Sequence, residues 1–499
     1  MKEAIPVYDV VIIGAGLSGI GAAYHIQKQC KGKTFAILEA RGSMGGTWDL
    51  FRYPGIRSDS DMYTLGFPFY PWKNPRAIAD GPAILEYIKE TARHFGIDSK
   101  ILYHHRVTDA SWSDEENLWT LTLAPHEQVQ KQKMQCRFLF ACTGYYDYAS
   151  GYMPEYPGME KFSGRIIHPQ QWDTTLDYRD KDIVIIGSGA TAVTLAPELA
   201  RTAKKVTVLQ RTPTYIISLP SRDPVAEFFR KVLPTRWHYA IIRWKNILIS
   251  MAMYLASRRW PAAVKKLIQK GIRKELGPDY DLRHFDPPYN PWDQRLCVVP
   301  DSDMFAAIRE GKVDMVTDHI DRFTEKGIQL RSGHTLEADI IISATGLKIQ
   351  MLGGMTLHLN GQLCNPANLH CYRGVMFSDL PNFAIAVGYT NASWTLKCDL
   401  NCRFVARLLN YMDKKRYAVC VPRYDPSIPD EPLIDLTSGY VLRARNQLPR
   451  QGSRHPWKVY QNYICDLFTL RLSTMQDPYL QYRKGTTNTL KGTSTRECV

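Results

Sequence analysis

Asp9-Val-Val-Ile-Ile-Gly14-Ala-Gly16-Leu-Ser-Gly19 is the stretch from which the fold is read. Behind Asp9, the run Val10–Ile13 is apolar without alternation, as expected of a strand buried on both faces of a parallel sheet. Gly14 supplies a tight turn, Gly16 lets backbone approach a pyrophosphate, and Gly19 permits close packing of the helix that follows, Ile20–Ile26. A second apolar run, Thr34–Leu38, ends at Glu39, which is placed to accept hydrogen bonds from ribose hydroxyls. Strand, glycine turn, helix, strand and acid occur in the order a dinucleotide-binding βαβ unit needs, with the helix N-terminus offering N–H groups to phosphate.

Further along, the unit is repeated. Asp182–Ile186 leads into Gly187-Ser-Gly189-Ala-Thr191-Ala192, a helix over Val193–Ala200 and a strand over Val206–Gln210. Ala192 stands where the third glycine would be. The fold class is therefore α/β, with two Rossmann-like dinucleotide-binding domains. The second strand of this repeat ends in Arg211 where the first ends in an acid. An acid there repels a 2′-phosphate and an arginine accepts it through charge-assisted hydrogen bonds, so NADPH is predicted over NADH. Gly187, Gly189, Thr191, Ala192 and Arg211 are assigned to that cofactor. The first loop lies at the very start of the chain, as in two-dinucleotide flavoproteins, and is assigned to FAD. Gly46, Thr47 and Trp48 are expected beside the flavin ring. No cysteine pair occurs between Cys30 and Cys136, so dithiol chemistry is excluded.

Two more buried strands end in glycine, Arg137–Gly144 and Asp339–Gly346. The second is read as the return to the first domain. This divides the chain into a FAD-binding part (1–150), an NADP-binding domain (151–338) with a helical insertion (224–288), a second FAD-binding part (339–483) and a Lys/Thr/Gly-rich disordered tail (484–499). Asn391 or Ser393 is the expected cap of a helix running to Met412.

The chain has 499 residues, 44% of them hydrophobic and 22% charged, which is globular and roomy enough for several domains. Eleven cysteines occur singly, without a Cys-x-x-Cys pair, which predicts reduced thiols in the cytoplasm and no zinc ribbon. No metal site is predicted. Met1–Pro6 fits no signal peptide, and no stretch reaches the ~18 apolar residues of a spanning helix. The net charge is +14, but between Pro224 and Leu276 twelve Lys/Arg face only Glu227 and Glu275. Most of the positive charge sits there, among Phe228, Trp237, Trp244 and Trp260. That distribution excludes a nucleic-acid groove and predicts a helical cover over the pocket or peripheral contact with an anionic membrane at its inner face.

Between the glycine loops runs Phe162-Ser-Gly164-Arg-Ile-Ile-His168-Pro-Gln-Gln-Trp172-Asp173. Read alone, it is a loop with a glycine turn, a histidine and two aromatics. It resembles the fingerprint of Baeyer–Villiger flavin monooxygenases, with every fixed position matched, including Trp172-Asp173, where N-hydroxylases and general flavin monooxygenases differ. The runs 45–63, 289–297 and 388–397 further resemble the ethionamide-activating subgroup. The resemblance implies NADPH- and O2-dependent conversion of ketones to esters through a flavin C4a-peroxide, with S-oxygenation of sulfides by the same oxidant. By resemblance, Arg295 would be the active-site arginine and Asp59, in the Asp49–Asp61 loop that Trp48 opens, its orienting partner. Many members carry lysine before that arginine as a phosphate contact; here Gln294 stands there, leaving Arg211 to the phosphate. Two alternatives remain: an N- or S-oxygenating monooxygenase without ketone activity, and a flavin-bound regulatory or membrane-interaction protein.

Overall fold

A buried parallel strand needs partners on both edges, and Val7–Ile13 has them. In the computed structural model, which describes residues 5–124 and 132–485, it pairs in parallel with Phe35–Leu38 on one side and Lys133–Ala141 on the other. Val10, Val11 and Ile12 are fully buried. Beyond Phe35–Leu38 lies Ile101–Leu102; beyond Lys133–Ala141 an antiparallel meander through Leu118–Leu123 and Val107–Ser113 completes the sheet with strands from the far end of the chain. Phe383–Ile385 joins alongside Leu139–Ala141. The helix Leu17–Gln29 packs on Trp394–Lys415, close enough for Ser18 Oγ to donate to Cys398 Sγ at 3.3 Å.

The second sheet is five parallel strands in the order Val313–Thr317, Lys205–Gln210, Asp182–Ile186, Ile340–Ser343, Arg165–Ile167. Ile340–Ser343, expected to return the chain to the first domain, is therefore a strand of the second sheet, and the boundary expected at 339 is corrected. The chain re-enters the first sheet at Thr356–Leu359, beside Val107–Ser113. The reason for the misreading is symmetry. A cβ on Gly14 would lie 2.6 Å from the Cys142 carbonyl oxygen, and one on Gly187 would lie 2.4 Å from that of Ala344. Each glycine loop needs a glycine-ended neighbour strand, so the pattern marks a neighbour strand without saying whose.

The basic segment forms three helices, Pro224–Val232, Thr235–Arg259 and Pro261–Leu276. Asp223 starts the first, accepting from the N–H groups of Val225 and Ala226, with Pro224 in the first turn where its missing N–H costs nothing. The long helix lies on the short helix Met62–Leu65, where Arg243 Nη1 donates to the carbonyls of Tyr63 at 2.6 Å, Gly66 at 2.7 Å and Thr64 at 3.3 Å. Arg243 is buried.

Smaller expectations are also revised. Ser393 does stand at the helix start, but it makes no side-chain cap; its hydroxyl bonds Thr64 Oγ1 at 2.6 Å, and the helix continues to Lys415. The loop after Gly46 opens with a helical turn, Thr47–Leu50. Lys484 closes a strand, Leu480–Lys484, instead of opening the tail; the rest of the expected tail, from 486, lies outside the described residues. The ten described cysteines are all free, and among the described residues no His/Cys/Asp/Glu cluster suits a metal. Among the described residues no helix is long and apolar enough to cross a membrane.

Candidate active site

Both glycine loops open on one cavity of about 600 Å³. Its floor is bare backbone. Gly14 has φ +100°, and Gly16 and Gly46 approach so closely that a Cβ on Gly46 would lie 3.1 Å from Gly16 Cα. Gly19 would set a Cβ 1.8 Å from the Gly14 carbonyl oxygen, so its role is to admit the loop's own turn against the helix. The helix start at Gly16 carries no side-chain cap, which leaves first-turn N–H groups for a ligand. Glu39 is buried at the strand end, where Oε2 accepts from Ala15 N at 2.8 Å and Oε1 from Arg41 N at 3.0 Å. Burial raises its pKa while the two N–H groups oppose the shift. A carboxylate has about four acceptor positions, so two remain for ribose hydroxyls. Glycine cradle, uncapped helix and half-satisfied acid together fit a dinucleotide.

The second loop is built alike but is more open. The helix Ala190–Leu199 starts uncapped at Gly189, where an added Cβ would touch nothing within 4 Å. Ala190, Thr191 and Thr194 line the same cavity as Gly14 and Gly46, so two dinucleotides bound at the two loops would meet there. Ala192 is fully buried. Arg211 is exposed, and among the described residues no carboxylate pairs with it; Tyr156 is a neighbour. Gln294 is half-buried in the turn before Arg295.

At the meeting point Arg295 Nη2 donates to Asp59 Oδ2 at 3.1 Å, with both side chains on the cavity wall. The Asp59 charge raises the Arg295 pKa beyond its already high value, against the opposing effect of burial. Three tyrosines, 145, 146 and 440, surround the guanidinium closely enough to feel its charge. Burial pushes the Tyr146 phenol up to about 12 and raises the other two, so all three stay neutral donors at physiological pH. The Tyr145 and Tyr146 hydroxyls share a 2.8 Å hydrogen bond, and the Tyr145 ring stacks on Trp394 at 5.2 Å. Sequence reasoning missed these tyrosines. The pair directly follows the glycine-ended strand at Gly144 and was readable in principle; Tyr440 reaches the site from a distant segment with no local signal.

None of the fingerprint residues lines the cavity. Instead His168, with its neighbour Gln170, braces the two crossings between the sheets, while Phe162, Gly164, Trp172 and Asp173 make their contacts within the second domain. Segments 145–152 and 346–350 run antiparallel, joined by Asp147 N to Lys348 O at 2.9 Å, Gln350 N to Tyr145 O at 2.9 Å and Tyr152 N to Gly346 O at 3.0 Å. His168 Nδ1 accepts from Gln170 N at 3.2 Å, which leaves Nε2 as the protonated nitrogen, donating to Gly346 O at 3.1 Å. Burial lowers the His168 pKa, so the ring is neutral. Its Cε1 occupies the space a Cβ on Gly151 would need, 1.9 Å away. Gln170 Nε2 donates to Asp147 O at 2.8 Å. Gly164 passes Asp339 O so closely that a Cβ would lie 2.2 Å from it. Phe162 packs edge-on to Phe323, and Trp172 to Tyr178. Asp173 is half-buried, accepting from Thr175 and Arg165, and those bonds lower its pKa to about 2.

Residues 8–353 match the model of a family described as flavin-binding monooxygenase-like. Among curated relatives, the FAD-containing monooxygenase EthA of Mycobacterium tuberculosis is 54% identical over 479 residues, covering 95% of this chain and 98% of that protein. The probable FAD-binding monooxygenase AlmA of Acinetobacter baylyi is 47% identical over 96% of each. Among solved structures, an oxidized steroid monooxygenase bound to NADP superposes with TM-score 0.73 at 20% identity, over 96% of this chain and 100% of that one. OTEMO in complex with FAD and NADP gives 0.69 at 23% identity, over 84% and 88%. At such identities the structures speak for the fold, which is that of two dinucleotide-binding domains.

Proposed function

The chain belongs to the flavin-binding monooxygenase-like family and is an FAD-containing, NADP-using monooxygenase; from that footing we propose that it inserts one oxygen atom of O2 beside the carbonyl of ketones, giving esters, and also oxygenates sulfur in sulfides and thioamides. The observation that carries this reading is the Arg295–Asp59 pair at 3.1 Å, on the wall of the one cavity that both glycine loops share. Bound flavin, once reduced by NADPH, supplies an activated oxygen in that cavity.

The protein's own groups do the rest. Gly14, Gly16, Gly19, Gly46, Thr47, Trp48 and Glu39 hold FAD through backbone donors and the ribose. Gly187, Gly189, Thr191 and Ala192 hold NADPH, with Arg211 on its 2′-phosphate and Gln294 as a neutral neighbour. Ketone oxygenation passes through an adduct whose oxygen carries negative charge. Arg295 meets that charge with a fixed cation, which is the arrangement that lowers such barriers most. Asp59 holds the guanidinium in one orientation. Tyr145, Tyr146 and Tyr440, kept neutral by burial, present hydroxyls without adding charge. His168 acts at a distance, by fixing how the two sheets face each other across the cavity, and Phe162, Gly164, Trp172 and Asp173 hold the loop that carries it.

The S-oxygenating alternative uses the same site with no anionic adduct to stabilise, so it has less need of Arg295. NADPH consumption over a set of plain ketones and sulfides, with products identified, tests the reading. Ester from at least one ketone is expected; sulfoxides alone, with every ketone inert, would replace the proposal with the alternative.

A further inference from the structure

An ordinary surface helix turns its apolar side inward and its polar side to water. Thr235–Arg259 does the reverse along one line. Trp237, Ile241, Trp244, Leu248 and Leu255 are all exposed, Trp237 to 67%. They recur at steps of four, three, four and seven, and the eighteen steps from Trp237 to Leu255 make about five whole turns. They therefore form a single stripe. Its opposite side carries buried Tyr239, Ile242 and Arg243. On the preceding helix Val225, Phe228 and Val232 form a second exposed line, with Phe228 61% accessible. Trp260, at the next junction, is 60% exposed.

The third helix adds charge. Lys266, Lys270, Arg273 and Lys274 share its outer face, opposite buried Ile268 and Ile272, and Leu267 lies among them at 67% exposure. Among the described residues no carboxylate lies within ion-pair distance of these four, nor of Arg236 or Arg259. By contrast, Lys245, Arg258 and Lys265 are each paired, with Asp223, Asp293 and Asp286.

We propose that the outer face of these three helices docks on an anionic lipid bilayer. Exposed Trp and Phe favour the interface between headgroups and chains, where an apolar body and a polar tip are both accommodated. Unpaired lysines and arginines around them meet anionic headgroups, as in helices that lie in a membrane surface. The helices lie on the surface and do not cross it, since none is apolar enough to span. A second copy of the chain is a poorer occupant: a two-fold contact through this face sets its bases against the same bases of the other copy. The inference stands on this surface and is independent of the chemistry proposed above.

The test uses the full-length, flavin-loaded protein, floated with vesicles of phosphatidylcholine with and without phosphatidylglycerol. Binding to the anionic vesicles, released by salt, is expected. Each lysine in the surface field contributes roughly fivefold to partitioning, so Lys266→Gln/Lys270→Gln/Lys274→Gln should weaken it by on the order of a hundredfold. Trp237→Ala/Leu248→Ala should also lose binding while retaining flavin. Lipids brominated in their chains should quench tryptophan fluorescence in the parent and less in Trp237→Phe. Three results would each overturn the proposal: no flotation with anionic vesicles at low salt by flavin-loaded protein, flotation that both multiple variants leave unchanged, or a dimer without vesicle binding that Trp237→Ala/Leu248→Ala dissolves.

Discussion

Replacing Arg295 by alanine removes the cation paired with Asp59 on the cavity wall. A unit charge about 4 Å from a developing oxygen anion, at an effective dielectric near 20, contributes about 4 kcal/mol. Asp59, bonded to the guanidinium, cancels part of that. What remains matches the roughly hundred- to thousandfold loss seen when one such donor is removed. Arg295→Ala should therefore slow ester formation by about that factor while binding FAD normally, because Glu39 and the glycine floor are untouched. The sharper test is the pair. In Arg295→Ala the Asp59 carboxylate is left facing the reaction uncompensated, so Arg295→Ala/Asp59→Asn should be faster than Arg295→Ala alone. Asp59→Asn by itself should cost about tenfold, because its amide oxygen still accepts from the guanidinium but without the charge that roughly doubles the strength of such a bond. Rapid mixing separates the steps: bleaching of flavin absorbance by NADPH reports reduction, and quenched-flow product analysis reports oxygenation. Ester formation by Arg295→Ala at the parent rate would refute the catalytic assignment. Strictly additive losses in the double variant would refute the claim that Asp59 acts through Arg295.

Arg211→Ala should weaken NADPH binding by roughly 1.5–3 kcal/mol, the contribution of charge-assisted hydrogen bonds, and leave NADH unchanged; equal losses in cofactor titrations would remove the 2′-phosphate assignment. Gly14→Ala forces a side chain to φ +100° and to 2.6 Å from the Cys142 carbonyl, so the variant should purify with little flavin, read from the ratio of flavin to protein absorbance, and a full complement would contradict the backbone-floor argument. Burial holds the imidazoles of His168, His238 and His284 below their ordinary pKa. The unfolded chain then takes up protons near pH 6.5 before the native one does, so stability is full above about 6.5 and falls as pH drops below it. Thermal melts should show that slope, and His168→Gln, which can still donate to Gly346 O, should flatten part of it; an unchanged slope would mean that His168 does not contribute.

The two dinucleotide units were legible because each is local. The strand, turn and helix that make Gly14–Gly19 a cradle lie within about twenty residues, and turn chemistry and periodicity read such a segment directly. Arg295 and Asp59 were legible only through resemblance, since 236 residues separate them and no periodicity joins them. Ile340–Ser343 was assigned to the wrong sheet because both sheets demand the same glycine-ended neighbour. Ser393 looked like a cap because capping chemistry is local, while its actual partner, Thr64, is brought by tertiary packing. The outward stripe on Thr235–Arg259 was hidden by its own regularity: an apolar line every three or four residues reads the same whether it faces a core or the solvent.

Arg243 has a consequence for how the three-helix segment came to belong to this protein and whether it can be taken away. Met62–Leu65 is a single turn, too short to satisfy its own last carbonyls. Arg243 caps it from another helix, with one nitrogen reaching Tyr63, Thr64 and Gly66. Trimming residues 224–276 to make a smaller oxygenase would uncover three buried carbonyls beside the residues that follow Asp59 and Asp61, each orphaned group costing on the order of 1–3 kcal/mol. The segment is thus a keystone and not an ornament. Grafting it onto a relative, or excising it here, would have to carry along a replacement for one guanidinium.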